Sequence, residues 1–228
     1  MTDWYKIKRV LIRQNGVQKQ IYPAWWTPWA NTILYVPMED DLLDHSWNSV
    51  SLTQWGTVTL TTLSWVKCAS TNVSWLFANF SWDWTNLTIT WWIYDTNSWS
   101  NVEKYYWALG SNITSWNAWW WSWDNKYILN YINIGGVNIY NTTVGKNSWQ
   151  LITITKQWTT WKMYKWTTLL GSVSTSYWWN SQRVNLWARL YSSTWFVWYM
   201  WGWVVENKTW TNDDVQSYYD LTKSKYGL

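Results

Sequence analysis

Apolar and polar residues alternate in short runs along most of the chain, and polar turns separate the runs. The clearest case surrounds Trp55-Gly56, where Val50 and Leu52 come before the turn and Val58 and Leu60 come after it. Alternation of this kind is typical of half-buried β-strands. Further strand-like runs cover residues 33–38, 87–94, 127–134, 137–140, 151–155, 162–165 and 196–205. The pattern predicts an all-β fold, a sandwich of two antiparallel sheets.

The N-terminal segment is interpreted as a separate extension. Two extended runs between residues 5 and 21 flank Asn15-Gly16, a strong signal for a β-hairpin, and Pro23 and Pro28 indicate a linker. We therefore divide the chain into a hairpin and linker at 1–30 and a sandwich at 31–228. The extension is basic, with five cations against one acid: Lys6, Lys8, Arg9, Arg13 and Lys19 against Asp3. Because a two-stranded ribbon is marginally stable alone, we expect it to attach to another surface.

One short helix is predicted near the C-terminus, over residues 212–221. Thr211 is placed to cap its first turn, and Asp214 stands three residues later, which is the spacing of a capping box. Asp213 and Asp214 also complement the positive end of the helix dipole.

Tryptophan is far more frequent than glycine, with 31 Trp and 9 Gly among 228 residues. Several Trp stand where tight turns are expected, including Trp158 and Trp161 between two strand-like runs and Trp166 after the second run. Tight turns favour positive φ, which suits glycine and penalises bulky side chains. Two doublets and a triplet also resemble runs of glycine: Trp25-Trp26, Trp178-Trp179 and residues 119–121.

We therefore hypothesise that the gene uses a code in which UGA means glycine and that UGA has been translated as tryptophan. About twenty misplaced side chains at ~1 kcal/mol each would exceed the 5–15 kcal/mol that stabilises a domain. Five residues in strand-like or packing contexts are interpreted as true tryptophans: Trp29, Trp55, Trp92, Trp149 and Trp210. The alternative is that all the indole rings are real and form stacking platforms for sugars.

Several segments, in order between residues 32 and 222, resemble the laminin G-like branch of the concanavalin A-like lectin and glucanase superfamily. They are the opening Tyr35-Val-Pro-Met-Glu-Asp-Asp-Leu-Leu-Asp44 with Ser46-Trp47-Asn48, the strand Leu87-Thr-Ile-Thr-Trp-Trp92, the pair 149–155 and 162–166, and the closing 196–200 and 208–219. Gly202-Trp203-Val204 departs from the family's Asp-Glu-Val, and Lys165 replaces its usual Asn. The resemblance implies a jelly-roll sandwich that binds carbohydrate or a receptor.

Catalytic chemistry is not indicated. Glucanases of this superfamily use paired carboxylates on one strand, and no Glu-x-Asp-x-x-Glu alternation occurs here. His45 is the only histidine and Cys68 the only cysteine, so neither a His-rich metal site nor a Ser/His/Asp triad is well supported, and an internal disulfide is excluded. We interpret Cys68 as a small buried thiol. The chain is therefore predicted to be a non-enzyme, with a glycoside hydrolase as the least favoured alternative.

A calcium site is the one metal site that the sequence suggests. Asp40, Asp41, Asp44 and Asn48 lie close together in an acidic turn and carry the oxygen ligands that Ca²⁺ prefers. The favoured alternative is that Asp44 and Asn48 stabilise the turn through hydrogen bonds to the backbone. No other cofactor is predicted.

The partners follow from charge and from the N-terminus. A net charge of +4 is too mild to indicate nucleic acid, and no apolar run is long enough for a membrane span or a signal peptide. We expect a binding module for a glycan or cell-surface receptor on a phage particle or cell surface. On a virion, residues 1–30 are expected to attach it to other virion proteins. A purely structural decoration or fibre domain is the alternative. The carbohydrate-binding residues are not identified, and a homo-oligomer stays open.

Overall fold

The computed structural model describes residues 10–14, 17–21, 30–72, 75–79, 85–96, 104–110, 128–134, 137–143, 147–174, 183–190 and 197–228. The first eight strands are β1 Val10–Gln14, β2 Val17–Ile21, β3 Thr32–Val36, β4 Leu52–Trp55, β5 Val58–Leu63, β6 Val66–Asn72, β7 Trp75–Asn79 and β8 Asn86–Asp95. The next eight are β9 Lys104–Gly110, β10 Ile128–Ile134, β11 Val137–Thr143, β12 Trp149–Gln157, β13 Thr160–Lys165, β14 Thr168–Ser174, β15 Arg183–Leu190 and β16 Val197–Glu206. A helix α1, Asn212–Thr222, and a 3₁₀ turn, Lys223–Tyr226, follow.

Two antiparallel sheets form the main body. The larger has eight strands, in the order β14-β13-β12-β8-β16-β6-β5, with β3 also paired to β16. The smaller has the order β4-β7-β15-β9, and β1-β2 and β10-β11 form two separate ribbons. The predicted all-β sandwich is therefore confirmed.

A buried apolar layer lies between the two sheets. Alternate residues of β8, Leu87, Ile89 and Ile93, belong to the same cluster as Leu76 and Ala78 of β7 in the smaller sheet. Their alternation follows from the period of two along a strand. Burial of this layer is the main force that holds the two sheets together.

A second apolar cluster lies on the opposite, outer face of the large sheet, where α1 packs. Trp92 and Leu151 of the sheet share this cluster with Val215 and Tyr218 of the helix. The helix begins with the predicted capping box, in which Thr211 and Asp214 each bond to the other's backbone N–H. No helix within the described ranges is long and apolar enough to cross a membrane.

The two strands that flank Asn15-Gly16, β1 and β2, pair antiparallel as expected for the predicted hairpin, and β10 pairs antiparallel with β11. One prediction of burial is wrong: Val58 is buried, but Leu60, on the same side of β5, is exposed. The reason is that β5 is the edge strand of the eight-stranded sheet, which is wider than the four-stranded sheet opposite it.

Three tryptophans occupy tight turns at positive φ. Trp158 (φ 54°) and Trp166 (φ 55°) are each the first residue of a two-residue turn, where a type II′ turn requires positive φ. Trp65, in the turn between β5 and β6, has φ 152°, a region that is almost exclusive to glycine. One position differs from expectation: Trp161 lies in β13 rather than in the turn.

Candidate binding surface

Asp44 organises the acidic turn. One of its carboxyl oxygens, Oδ1, accepts the backbone N–H groups of Tyr35 (2.9 Å) and Ser46 (2.8 Å). The other, Oδ2, accepts the Ser46 hydroxyl and the Val50 N–H, both at 2.7 Å. The buried carboxyl group therefore has the turn-stabilising role that was the favoured alternative to calcium binding.

The other three candidate ligands also have protein partners. The Asn48 amide donates to the carbonyl oxygens of Thr32 (2.9 Å) and Ile33 (3.0 Å). Asp40 pairs with Lys67, and Asp41 lies 2.8 Å from the His45 Nε2 atom. In the described part of the chain, no group of three or more His, Cys, Asp or Glu side chains is arranged to hold a metal ion. The calcium site stays a prediction.

Glu206 is a fully buried carboxyl group at the end of β16. Its two oxygens accept hydrogen bonds from the Thr32 hydroxyl (2.9 Å) and from the Trp210 indole N–H (2.6 Å). Burial raises the pKa of Glu206 to about 7, although both hydrogen bonds favour the charged form. These contacts tie β3 to the segment that leads into α1.

Cys68 is buried, as expected, beneath the helix layer. Burial raises the pKa of its thiol to about 11, so the group is protonated and unreactive at neutral pH.

Three aromatic side chains form a row across the outer face of the large sheet. Tyr199 of β16 pairs in register with Tyr94 of β8, which in turn pairs with Trp149 of β12. The rings meet edge to face: Tyr199 and Tyr94 have centroids 6.2 Å apart at 78°, and Tyr94 and Trp149 have centroids 5.5 Å apart at 61°. Both tyrosines are half-buried, and Trp149, which lies beside Tyr94 on the neighbouring strand, is buried. We call Tyr199, Tyr94 and Trp149 the aromatic row.

The C-terminal segment holds one side of the aromatic row in place. Tyr226 packs against Trp149 with centroids 4.8 Å apart and stacks on Trp92 at 4.0 Å. The neighbouring pair Trp92 and Trp201 is completely buried there, whereas the tyrosines of the aromatic row are not covered in the same way. Within the row, Tyr94 and Tyr199 therefore stay partly exposed, while Trp149 is buried.

Three exposed tryptophans of the described ranges, Trp65, Trp158 and Trp166, do not form one shared platform. Trp158 and Trp166 lie at opposite ends of β13, a six-residue strand, so roughly 20 Å separates them. Trp65 lies elsewhere, beside the C-terminal segment, where its indole N–H donates to the Lys225 carbonyl oxygen.

The sequence did not identify the aromatic row, although each member falls in a strand-like run or at its start. Tyr94, Trp149 and Tyr199 are separated by 50 or more residues, and only the pairing of β8 with β12 and β16 brings them together. Tyr94 lies near the C-terminal end of β8, whereas Trp149 and Tyr199 lie near the N-terminal ends of β12 and β16. Antiparallel pairing brings these ends together, but strand order was needed to use this signal.

No protein-family model matches the chain, and no curated protein is significantly similar to it. Among solved structures, the botulinum neurotoxin serotype C1 binding domain matches with a TM-score of 0.61 and 13% identity, covering 84% of this chain and 52% of that one. The DC binding domain matches in complexes with SialylT (TM-score 0.62) and with rat synaptotagmin II (0.61), each at 14% identity over 83% of this chain and 51% of that one. This chain spans about half the length of the toxin domains, and the likeness shows a shared fold.

Proposed function

We propose that this chain is a non-catalytic module that binds a glycan or a cell-surface receptor. The observation that carries the proposal is its fold, which it shares with binding domains of botulinum neurotoxins. Cell entry of the type C neurotoxin depends on interaction with two ganglioside molecules, and the DC domain binds rat synaptotagmin II. Since this chain corresponds to about half of those domains, the carry-over of binding is part of the proposal.

The contacts of the buried Glu206 carboxyl group support a non-catalytic role. Both oxygens of Glu206 are used to join Thr32 and Trp210, so this group connects strands rather than facing a substrate. A glycoside hydrolase would instead need two carboxyl groups facing each other across a sugar, about 5 to 9 Å apart.

A glycan array tests the proposal directly. The labelled full chain is applied to immobilised oligosaccharides and to host-cell envelopes, with the heat-denatured chain as the control. Saturable binding to a defined set of glycans or to envelopes is expected. Absence of binding to both the glycans and the envelopes would overturn the binding function and favour a purely structural decoration or fibre domain.

The surface of a phage particle or of a cell is the setting that we propose for this module, with residues 1–30 as its attachment segment. The basic composition of this segment and its separate β1-β2 ribbon support this assignment. Deletion of residues 1–30 should abolish incorporation into the particle while glycan binding persists. Normal incorporation of the deletion variant would contradict the assignment.

The proposed translation of UGA as glycine in the natural protein is supported by backbone and hydrogen-bond geometry. Trp65, Trp158 and Trp166 adopt positive φ. Within the described residues, the buried indole N–H groups of Trp91, Trp161 and Trp203 have no hydrogen-bond partner, which costs about 1–3 kcal/mol each. By contrast, two residues interpreted as true tryptophans donate to side chains: Trp92 to Thr222 and Trp210 to Glu206.

Two measurements test this translation hypothesis. The gene should carry UGA at codons 65, 158 and 166 and UGG at codons 92 and 210. Peptide mass spectrometry of the protein from its natural source should find glycine at the first three positions. UGG at every tryptophan codon would end the hypothesis.

A further inference from the structure

We propose that the aromatic row is the subsite where this protein holds a neutral pyranose ring of its glycan, an inference that rests on the proposed binding function. Tyr199, Tyr94 and Trp149 lie on three adjacent strands, and each row contact is edge to face. Tyr94 and Tyr199 lie at 78° to each other, so the edge of one ring covers one face of the other, and the proposed sugar stacks on ring surface that this contact leaves uncovered.

The chemistry of the two tyrosines suits a sugar. Tyrosine provides a rigid apolar ring face for the C–H face of a pyranose, and its hydroxyl group can donate to or accept from a sugar hydroxyl. Little conformational entropy is lost on binding, because tyrosine has few rotatable bonds and these rings are already packed against Trp149 and each other. The row therefore combines stacking with polar contacts on one preformed surface.

The position of the row disfavours a peptide strand or a charged ligand. At Tyr94 and Tyr199, β8 and β16 are each paired with a strand on both sides, so they cannot add a further strand there. None of the three row members carries a charge, so the row itself offers no ion pair to an acidic headgroup. A neutral ring is the ligand that the row fits.

The inference does not depend on how UGA is translated. Two of the three residues are tyrosines, and Trp149 packs in the outer cluster with an aromatic contact to Tyr226. The rival platform, made of exposed tryptophans at turns, would disappear if those residues are glycine. The two platforms can therefore be separated by experiment.

Protection from nitration tests the subsite without altering the protein. The full chain is treated with tetranitromethane in the presence and absence of free oligosaccharides built from neutral hexoses and N-acetylhexosamines. Nitration is then measured at each tyrosine by mass spectrometry. A saturating oligosaccharide should protect Tyr94 and Tyr199 and leave Tyr219 unprotected. Tyr219 is the matched control, because it is also half-buried but stacks on Trp92, outside the row.

Affinity measurements on variants complete the test. Tyr199→Ala should lower affinity for the same oligosaccharide about tenfold, equivalent to about 1.4 kcal/mol, whereas Tyr219→Ala should change it less than twofold. Trp158→Gly should also leave the affinity unchanged. A loss of affinity in this variant would overturn the subsite and assign binding to the turn tryptophans instead. If Tyr199→Ala does not fold, the protection of Tyr94 and Tyr199 from nitration in the unaltered chain still tests whether the sugar binds at the aromatic row.

Failure of the inference differs from failure of the proposed function. Binding on the array together with unprotected Tyr94 and Tyr199 overturns the subsite and leaves the function standing. Absence of binding to every glycan overturns the subsite, and absence of binding to envelopes as well overturns the function. The same glycan presented free and on lipid vesicles should bind equally, because the row contacts the sugar alone.

Discussion

Replacing Trp158 by glycine should stabilise the protein, although it removes the largest side chain in favour of the smallest. Trp158 is the first residue of the turn between β12 and β13, with φ 54° and a side chain 66% exposed. Its backbone N–H donates to the Thr85 carbonyl oxygen at 2.7 Å, a bond that glycine retains. The substitution therefore changes the strain and the conformational entropy of the backbone and keeps this hydrogen bond.

The magnitude follows from two opposing contributions. A non-glycine residue in the left-handed region carries a strain of roughly 1–2 kcal/mol, which glycine relieves. Glycine loses more backbone entropy on folding, which costs about 0.5–1 kcal/mol. The free energy of unfolding should rise by about 1 kcal/mol, and Tm by about 2–4 °C in a chain of this size.

Trp47→Gly is the matched control. Its side chain is 67% exposed, nearly the same as that of Trp158, but its φ is not positive. This control should lose about 0.5–1 kcal/mol, because only the entropy contribution applies. Urea unfolding followed by circular dichroism measures both variants. If Trp158→Gly is destabilised as much as Trp47→Gly, the strain argument is refuted.

Three further predictions concern the buried carboxyl, the helix cap and the calcium site. Because Glu206 in the folded chain has a pKa of about 7, above its ordinary value of 4.5, the folded state binds the proton more tightly than the unfolded chain does. The free energy of unfolding should therefore fall by at most about 3 kcal/mol as pH rises from 4.5 to 7, with a slope of about 1.36 kcal/mol per pH unit. Urea titrations of Glu206→Gln should lack this part of the pH dependence. If the variant keeps it, Glu206 is not the group responsible. Thr211→Ala removes the side-chain cap of α1 and should cost about 1 kcal/mol in the same assay, with an unchanged midpoint as the contrary result. The predicted calcium site requires that Ca²⁺ at about 100 times its Kd raise the free energy of unfolding by about 2.7 kcal/mol over EDTA, and an unchanged Tm would contradict the site.

Local features of the fold were predictable from the sequence. The capping box at Thr211 and Asp214 and the hairpin at Asn15-Gly16 depend on neighbouring residues, and both are present. The burial of Leu60 was mispredicted because alternation gives the face of a strand but not its place in the sheet. Trp161 was assigned to the turn, but β13 already begins at Thr160, so the turn has only two residues and Trp161 lies in the strand.

The candidate binding surface was less accessible to sequence reasoning. Asp44 and Asn48 drew attention because oxygen-rich turns suggest calcium, yet whether a carboxylate bonds to backbone or to metal depends on how the turn closes. The aromatic row needs the order of strands in the large sheet, which is fixed by contacts between distant segments. The pairing of Tyr94 with Tyr199 spans more than a hundred residues, and no local pattern encodes it.

The position of β16 has a consequence for how the chain folds. It follows all other strands in sequence, yet it lies in the middle of the large sheet, with β8 on one side and β3 and β6 on the other. Until it is synthesised, the sheet consists of two unjoined halves, each with an open edge that invites pairing with other chains. Folding of the large sheet should therefore be slow and should wait until β16 has been synthesised, and a chain that stops before residue 197 should aggregate rather than form a smaller domain.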